Sequence, residues 1–574
     1  MSGKSTVSDI AEYFTSKIAE DDKADNDTFV SESPSFLELH YLDLQKRDPD
    51  NPHLTITLDF DVSSQLNCAK TWKMSLLNLI SINPELRTLL QETEQGMKRA
   101  NIQKFIIDIE DVSFHFISVS SKEEFENASD SISKFNPYVD IPLKAVFWKS
   151  SSFGILRLVI NHGSFDNGCV IAIVKDLQYI FTQYLLHQSA PVMLTRQPVD
   201  PALAMERLLN ERMDELKTYW NMELLKCREP QSFQMIKKVE ERSPGNISEV
   251  ITKLLNVDQL KKLEEVSTEN HSTLFTLFCT AFQVAIHKQL HCHRTCVIAA
   301  ADTRMHLPEF RERPVLCVNY IPIVSTDMVN PSLSFYDILK ANKNIIAQGI
   351  SKSLFPFKLM REMPAFVEDI HKVHSIVMED LTLWNVFNTS QIQLSKFGVE
   401  QDSSYETNLS VILHSNKSLE LKLRYSVQKV GRYLAENILE HIEAILENSV
   451  SDIHFNIFTW RSLCKIEQEI ESLADEYFFL YNRNGKVRKK KIFIINHPTF
   501  ALEWGKKRTW RIPTSEMVLI TGFNAQDFHG IYIKTLHSEE RLLLKDRKRR
   551  DAWIAVLRRK VAEHFEEKYE STKL

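Results

Sequence analysis

Two groupings in this sequence hold residue types that could do chemistry. The first is Asn161-His162-Gly163-Ser164-Phe165-Asp166-Asn167-Gly168. Histidine is the side chain best suited to taking up and returning a proton near neutral pH, and a carboxylate four residues on could fix its loop by pairing with an arginine from elsewhere. With 19 His and 30 Asp in 574 residues, one His-x-x-x-Asp match is what chance delivers, so spacing alone leaves a turn residue as the alternative to a base. The second is "HKQLHCHRTC", residues 287–296, where His287 and His291 at i, i+4 could share a helix face as zinc-binding pairs do. Its spacing matches no closed zinc pattern, and a helix end before a buried strand is the plainer reading, so no metal site is assigned.

Elements on both sides must position His162. Up to Ile160, Leu156, Leu158 and Ile160 alternate as in a half-buried strand. From Cys169 the apolar positions are Val170, Ile173, Val174, Leu177, Ile180, Phe181 and Tyr184, the spacing of a helix. His162 therefore lies in a strand-to-helix loop, with Asp166 and Asn167 placed to cap the helix and Gly163 and Gly168 supplying unusual backbone freedom.

Composition narrows the class. The chain is 43% hydrophobic and 25% charged, as globular proteins are, and too long for one ordinary core, which predicts two to four domains. With 13 glycines and no GxGxxG, phosphate-cradling loops are not expected, and "SGKST" at residues 2–6 lacks the earlier glycine and preceding strand of a P-loop. The eight scattered cysteines and a polar start without an apolar signal core predict reduced thiols and a cytoplasmic location. No apolar run is long enough to span a membrane. Charge is uneven: residues 476–574 carry 22 Lys or Arg against 12 Asp or Glu, a net of +10, which leaves −16 for the rest of a chain of net −6. That asymmetry predicts a polyanionic partner for the C-terminal end.

The organisation predicted is a mostly disordered acidic tail over 1–30, an α/β lobe over 31–187, a proline-bearing crossover linker over 188–204, a second α/β lobe over 205–450, a connector over 451–475 and a distinct module over 476–574. Strands "KAVFWKS" and "GILRLVI", helices over 169–186, 205–226 and 273–289, and strands "TCVIAAADT" and "LELKLRYSV" give both lobes the same mixture. In the last module six short strands, "YFFLYN", "KIFIINH", "FALEWG", "MVLITG", "IYIKTL" and "RLLLKD", precede one amphipathic helix, a pattern that predicts a small β-barrel capped by that helix.

The run "PLKAVFWKSSSFGILRLVINHGSFDNG" resembles the strand, strand, HHxxxDG passage of the coenzyme-A-dependent acyltransferase superfamily, which includes chloramphenicol acetyltransferase, condensation domains of nonribosomal peptide synthesis, BAHD acyltransferases and alcohol acetyltransferases. Other landmarks follow in the superfamily's order: "ELKTYWNMEL", "STLFTLFCTAFQVAIHKQL", "AADTRMHLPEFRERPVLCVNYIPI" and "LSKFG", so that the resemblance covers residues 35–450. Asn161 replaces the first histidine of the motif, the closing glycine is displaced by one to Gly168, Lys396 replaces an asparagine, and no DFGWG is present. The C-terminal module resembles a pleckstrin-homology domain, with Lys486, Arg488, Lys489 and Lys491 where phosphoinositide-binding members place phosphate ligands and Trp553 on the closing helix.

The resemblance implies two chloramphenicol-acetyltransferase-like lobes around a central tunnel. His162 would act as general base on a hydroxyl or amine attacking an acyl thioester, then protonate the departing thiol. Asp166 would pair with Arg304 across the lobes as a structural restraint, and Asn319 and Ser395 would be substrate or oxyanion candidates. No bound cofactor is implied. Because no carrier or adenylation segment accompanies the body, acyl-CoA is the expected co-substrate. The partners expected are a lipid-like acceptor and, through residues 476–574, anionic membrane lipid or a phosphoinositide, making a peripheral membrane protein; without clustered stacking aromatics or a recognition motif, nucleic acid is not expected. The alternative is a non-catalytic, membrane-recruited scaffold or lipid-binding protein with an acyltransferase-like body.

Overall fold

The computed structural model describes residues 33–457, apart from internal segments of which the longest are 102–114, 188–200 and 228–247, and beyond them the strands between residues 475 and 544 with Arg550, Trp553 and Leu557. The tail expected over 1–30 and most of the linker and connector expected over 188–204 and 451–475 lie outside the described residues. Of the proposed linker, Pro201–Ala204 already belong to a helix.

Along the first half run α1 (Phe36–Arg47), β1 (Thr55–Ser63), α2 (Ala69–Ile82), β2 (Thr88–Thr93), β3 (Gly96–Asn101), β4 (Phe116–Val119), α3 (Lys122–Ile132), β5 (Leu143–Lys149), β6 (Phe153–Asn161) and α4 (Asn167–His187). Along the second run α5 (Pro201–Leu225), β7 (Ser248–Leu255), α6 (Val257–Glu269), α7 (Leu274–Leu290), β8 (Cys296–Asp302), β9 (Val318–Val324), α8 (Phe335–Ser351), α9 (Phe357–Arg361), β10 (His374–Asp380), β11 (Ile392–Val399), β12 (Thr407–Leu413), β13 (Leu419–Ser426) and α10 (Arg432–Ser451). Local chemistry starts and stops these elements. Ser35 and Glu38 form a reciprocal capping box that opens α1, and the Ser150 hydroxyl accepts from Phe153 N at 3.1 Å to close the turn between β5 and β6.

Two sheets carry the body. The first has the order β11-β1-β6-β5-β4 and the second β7-β13-β12-β10-β8-β9. β11 lies between β10 and β12 in sequence, yet it pairs antiparallel with β1, with Ile56 opposite Val399. The second half of the chain thus lends a strand to the first sheet, which covers the edge β1 would otherwise present to solvent.

The alternating face of β6 and the helical stripe of α4 meet as their periodicities require. Leu156, Leu158 and Ile160 pack in one core with Val170, Ile173, Val174, Leu177, Ile180 and Phe181. Each such side chain, fully buried, stabilises by about 1.5–3 kcal/mol before entropy is counted. In the second core the Tyr-Trp landmark of α5 is structural: Trp220 is fully buried and its Nε1 donates to the Lys352 carbonyl at 3.1 Å. A third, smaller cluster joins the halves, with Leu37, Tyr41, Leu44 and Leu54 packed against Met205, Leu307, Phe310, Val315, Leu316 and Cys317. It holds α1 across the junction where His162 lies.

The C-terminal strands are β14 (Asp475–Tyr481), β15 (Val487–Ile495), β16 (Ala501–Trp504), β17 (Trp510–Pro513), β18 (Met517–Ala525), β19 (Phe528–Thr535) and β20 (Glu539–Leu544). The strand missed in the sequence is β17, "WRIP", whose four residues are too short to show alternation. The sheet order is β17-β16-β15-β14-β20-β19-β18, and among the described residues the two end strands do not pair. Among the described residues no closed barrel is found where one was expected, since closure would require hydrogen bonds between β17 and β18. Arg550, Trp553 and Leu557 are helical, with Trp553 and Leu557 fully buried at one-face spacing. Among the described residues no helix is long and apolar enough to cross a membrane.

Candidate active site

His162 follows β6 directly. Its backbone N–H donates to the Leu54 carbonyl at 2.9 Å, tying the loop to the chain entering β1. Asn161, where the superfamily motif has its first histidine, folds its side chain back so that Oδ1 accepts from Gly163 N at 2.8 Å. Such an Asx turn bends the chain sharply without a second imidazole.

The imidazole is buried, with 6% exposure. Nδ1 lies 2.8 Å from the Phe165 carbonyl oxygen. A carbonyl only accepts, so Nδ1 carries the proton and Nε2 presents its lone pair. Burial, followed by the neighbouring His53 ring, lowers the His162 pKa to about 3, so the ring is neutral throughout the ordinary range. Across from Nε2 lie aromatic groups. The Tyr41 hydroxyl is 3.3 Å from Nε2 and 2.9 Å from the Tyr320 hydroxyl, which lies 2.8 Å from His53 Nε2. The His53 and His162 ring centroids are 4.8 Å apart.

Asp166 turns away from His162. Its Oδ1 accepts from Cys169 N at 3.1 Å, which caps the start of α4, and from Arg304 Nη2 at 2.9 Å; Oδ2 accepts from Cys317 N at 2.7 Å. Burial opposes its ionisation, but the Arg304 charge and these donors hold its pKa below the usual carboxylate value. Arg304 also donates to the Val315 and Phe310 carbonyls and contacts Cys169 Sγ at 3.0 Å. The pair therefore clamps the histidine loop to the second half of the molecule. Gly168 is part of that clamp: a Cβ there would stand 2.9 Å from Arg304 Nη1 and 3.2 Å from Asp166 Oδ1. The displaced glycine is thus a requirement of close packing.

The structure brings His162, Asp166 and Arg304 together but not the two oxyanion candidates. Both amide hydrogens of Asn319 are committed, to Ser353 O at 2.6 Å and Phe355 O at 2.8 Å, and its Oδ1 accepts from Phe357 N at 3.3 Å. Ser395 lies on β11 beside the irregularity between Asp59 and Phe60, and its hydroxyl donates to Asp61 Oδ1 at 2.8 Å. Asp59 is five residues along the chain from Leu54, whose carbonyl holds the His162 N–H, and five extended residues span roughly 17 Å. Asn319 fastens the turn between α8 and α9 to β9, and Ser395 fastens the exchanged strand to β1. His287, from the other grouping, is buried with its Nδ1 on the Cys292 carbonyl at 2.7 Å. Lys486 lies outside the described residues; Arg488, Lys489 and Lys491 fall on β15, whose side chains are likewise outside them. Tyr41, His53 and Tyr320 escaped the sequence reading because they come from three separated segments with no local pattern.

Two α/β halves thus share a sheet through a strand lent from one to the other, and the buried histidine loop is clamped between them. The condensation-domain family model matches residues 41–468, and the chain belongs to that family, whose members transfer acyl or peptidyl groups. Among solved structures, the condensation domain of the monacolin K polyketide synthase is 12% identical, with a TM-score of 0.60 over 75% of this chain and 100% of that one. The X-domain from teicoplanin biosynthesis is 12% identical, with a TM-score of 0.61 over 75% of this chain and 97% of that one. The starter condensation domain of rhizomide synthetase, solved with C8-CoA, is 12% identical, with a TM-score of 0.58 over 79% of this chain and 100% of that one. At this identity the likeness is one of fold. No curated protein sequence matches the chain.

Proposed function

We propose that this protein transfers an acyl group from a thioester, with acyl-CoA as donor, to a hydroxyl or amine of a lipid-like acceptor, with His162 as general base. The observation that carries this reading is the neutral, buried His162 whose Nδ1–H is fixed by the Phe165 carbonyl, so that Nε2 is left to accept. Nε2 would take the acceptor's proton as its oxygen or nitrogen attacks the thioester carbonyl, and would return that proton to the departing sulfur. No covalent enzyme intermediate is required. Asp166 and Arg304 would hold the loop; their pairing with each other removes Asp166 from any proton relay. A relative solved with C8-CoA supports a free coenzyme-A donor. Residues 476–574, with their net charge of +10, would recruit the protein to anionic membrane as a pleckstrin-homology-like module, through Lys486, Arg488, Lys489 and Lys491.

One observation favours the non-catalytic alternative: the Tyr41 hydroxyl already occupies the face of Nε2 where an acceptor would come. Incubation with C8-CoA and a panel of lipid alcohols and amines separates the two readings. Transfer predicts free thiol together with an acceptor heavier by one acyl group in the mass spectrum. No product across the panel would leave the scaffold reading standing.

A further inference from the structure

We propose that Tyr41 is a further catalytic residue, the hydroxyl through which the acceptor's proton reaches His162. This inference rests on the acyl-transfer reading above. With Nδ1–H spent on the Phe165 carbonyl, the Tyr41 hydroxyl must donate to Nε2. Its oxygen then accepts from Tyr320, and the Tyr320 oxygen accepts from His53 Nε2–H, so one consistent direction runs from a half-buried histidine to the buried one.

Tyr41 cannot simply swing aside to make room. It is 2% exposed, belongs to the cluster that joins α1 to the second half of the molecule, and is in ring contact with His40, His53 and His162 at 5.6, 5.7 and 4.8 Å. Displacing it would dismantle the junction itself. An acceptor must therefore come to the Tyr41 hydroxyl.

In the step proposed for a hydroxyl acceptor, its O–H bond breaks and the hydrogen passes to Tyr41 Oη while the Tyr41 proton passes to His162 Nε2. The acceptor oxygen forms its bond to the thioester carbonyl carbon. As the carbon–sulfur bond breaks, the Nε2 proton returns through the same hydroxyl to the departing sulfur. Tyr41 ends as it began, and the thiol and ester account for every atom.

The test compares wild type, Tyr41→Phe, His162→Ala and the double variant in thiol release from C8-CoA with an acceptor the wild type uses. The relay predicts that Tyr41→Phe lowers kcat by about 10²–10³-fold with KM little changed, and that the double variant is no slower than His162→Ala. The proton inventory in mixed water should curve for wild type, with two protons in flight, and straighten in Tyr41→Phe. A Tyr41→Phe enzyme as fast as wild type, or faster, while His162→Ala is inactive would overturn the relay and leave the base in place. Unchanged rates in His162→Ala would instead remove the base and the relay with it. Should Tyr41→Phe not fold, difluorotyrosine at position 41 keeps the shape while altering the hydroxyl's acidity, and an unchanged rate there also overturns the proposal.

Discussion

Protonation at His162 and Asp166 ties activity and stability to pH in ways that can be separated. Because burial lowers the His162 pKa to about 3, the proposed base stays unprotonated well below neutrality. The kcat/KM profile should show no acid inflection near pH 6.5, where an exposed histidine would lose activity. Stability behaves differently. Between about pH 6.5 and 3 the unfolded chain binds a proton at this histidine that the folded chain refuses, so stability falls as the pH is lowered through that window. Asp166 adds a contribution that is present above its unfolded value near 3.9 and is lost as the pH falls through its depressed folded value. Thermal midpoints measured from pH 7 to pH 4 should decline, and His162→Gln should flatten the slope. Removing Arg304 leaves Asp166 buried without a countercharge, and removing the Asp166 charge leaves Arg304 buried with the exposed Asp302 as its remaining carboxylate at 3.1 Å. Asp166→Asn or Arg304→Met should each cost about 3–5 kcal/mol in denaturant titrations, with a strongly non-additive double variant.

Among the elements, the strand-loop-helix unit was legible because β6 and α4 carry opposite periodicities on either side of the loop, and the same residues fill the core. The partner of Asp166 was legible only through resemblance, since Arg304 lies 138 residues away. Resemblance also misled: Asn319 and Ser395 stand in matching segments, but their polar atoms are consumed by backbone and by Asp61. Ser395→Ala should accordingly leave kcat unchanged and cost about 0.5–1.5 kcal/mol, the worth of one hydrogen bond on the exchanged strand. A drop in kcat with stability intact would instead restore it to the active site. Gly168→Ala puts a methyl against Arg304 Nη1, and the five acceptors that pin the guanidinium, among them Asp302 Oδ1 on Nη1 itself, leave it little room. It should reproduce much of the Arg304→Met loss in the same titration. Tyr41, His53 and Tyr320 were invisible in the sequence because contacts across 121 and 279 residues leave no spacing to read.

The whole molecule divides a charge as well as a chain. The family match ends at residue 468, and the strongly basic stretch begins just beyond it. Six of its seven strands were legible from alternation, but β17 was too short to show it, and whether the end strands of a sheet pair leaves no trace in local sequence. If this region recruits the protein to anionic membrane, flotation with phosphatidylserine vesicles should retain the full chain at low salt and lose it as salt rises, since surface cations act within a Debye length. Replacing Arg488, Lys489 and Lys491 with glutamate should abolish flotation without altering thiol release in solution; equal flotation with neutral vesicles would contradict the charge-based account. The proposed activity would be assembled across the junction, from His162 on one half, the Arg304 clamp from the other and α1 packed between them. That assembly has meaning only if His162 moves protons. The kcat for thiol release from C8-CoA, measured below the melting range of both proteins, should fall by about 10²–10⁴-fold in His162→Ala, whereas a variant as fast as wild type would contradict the assignment of His162 as the base.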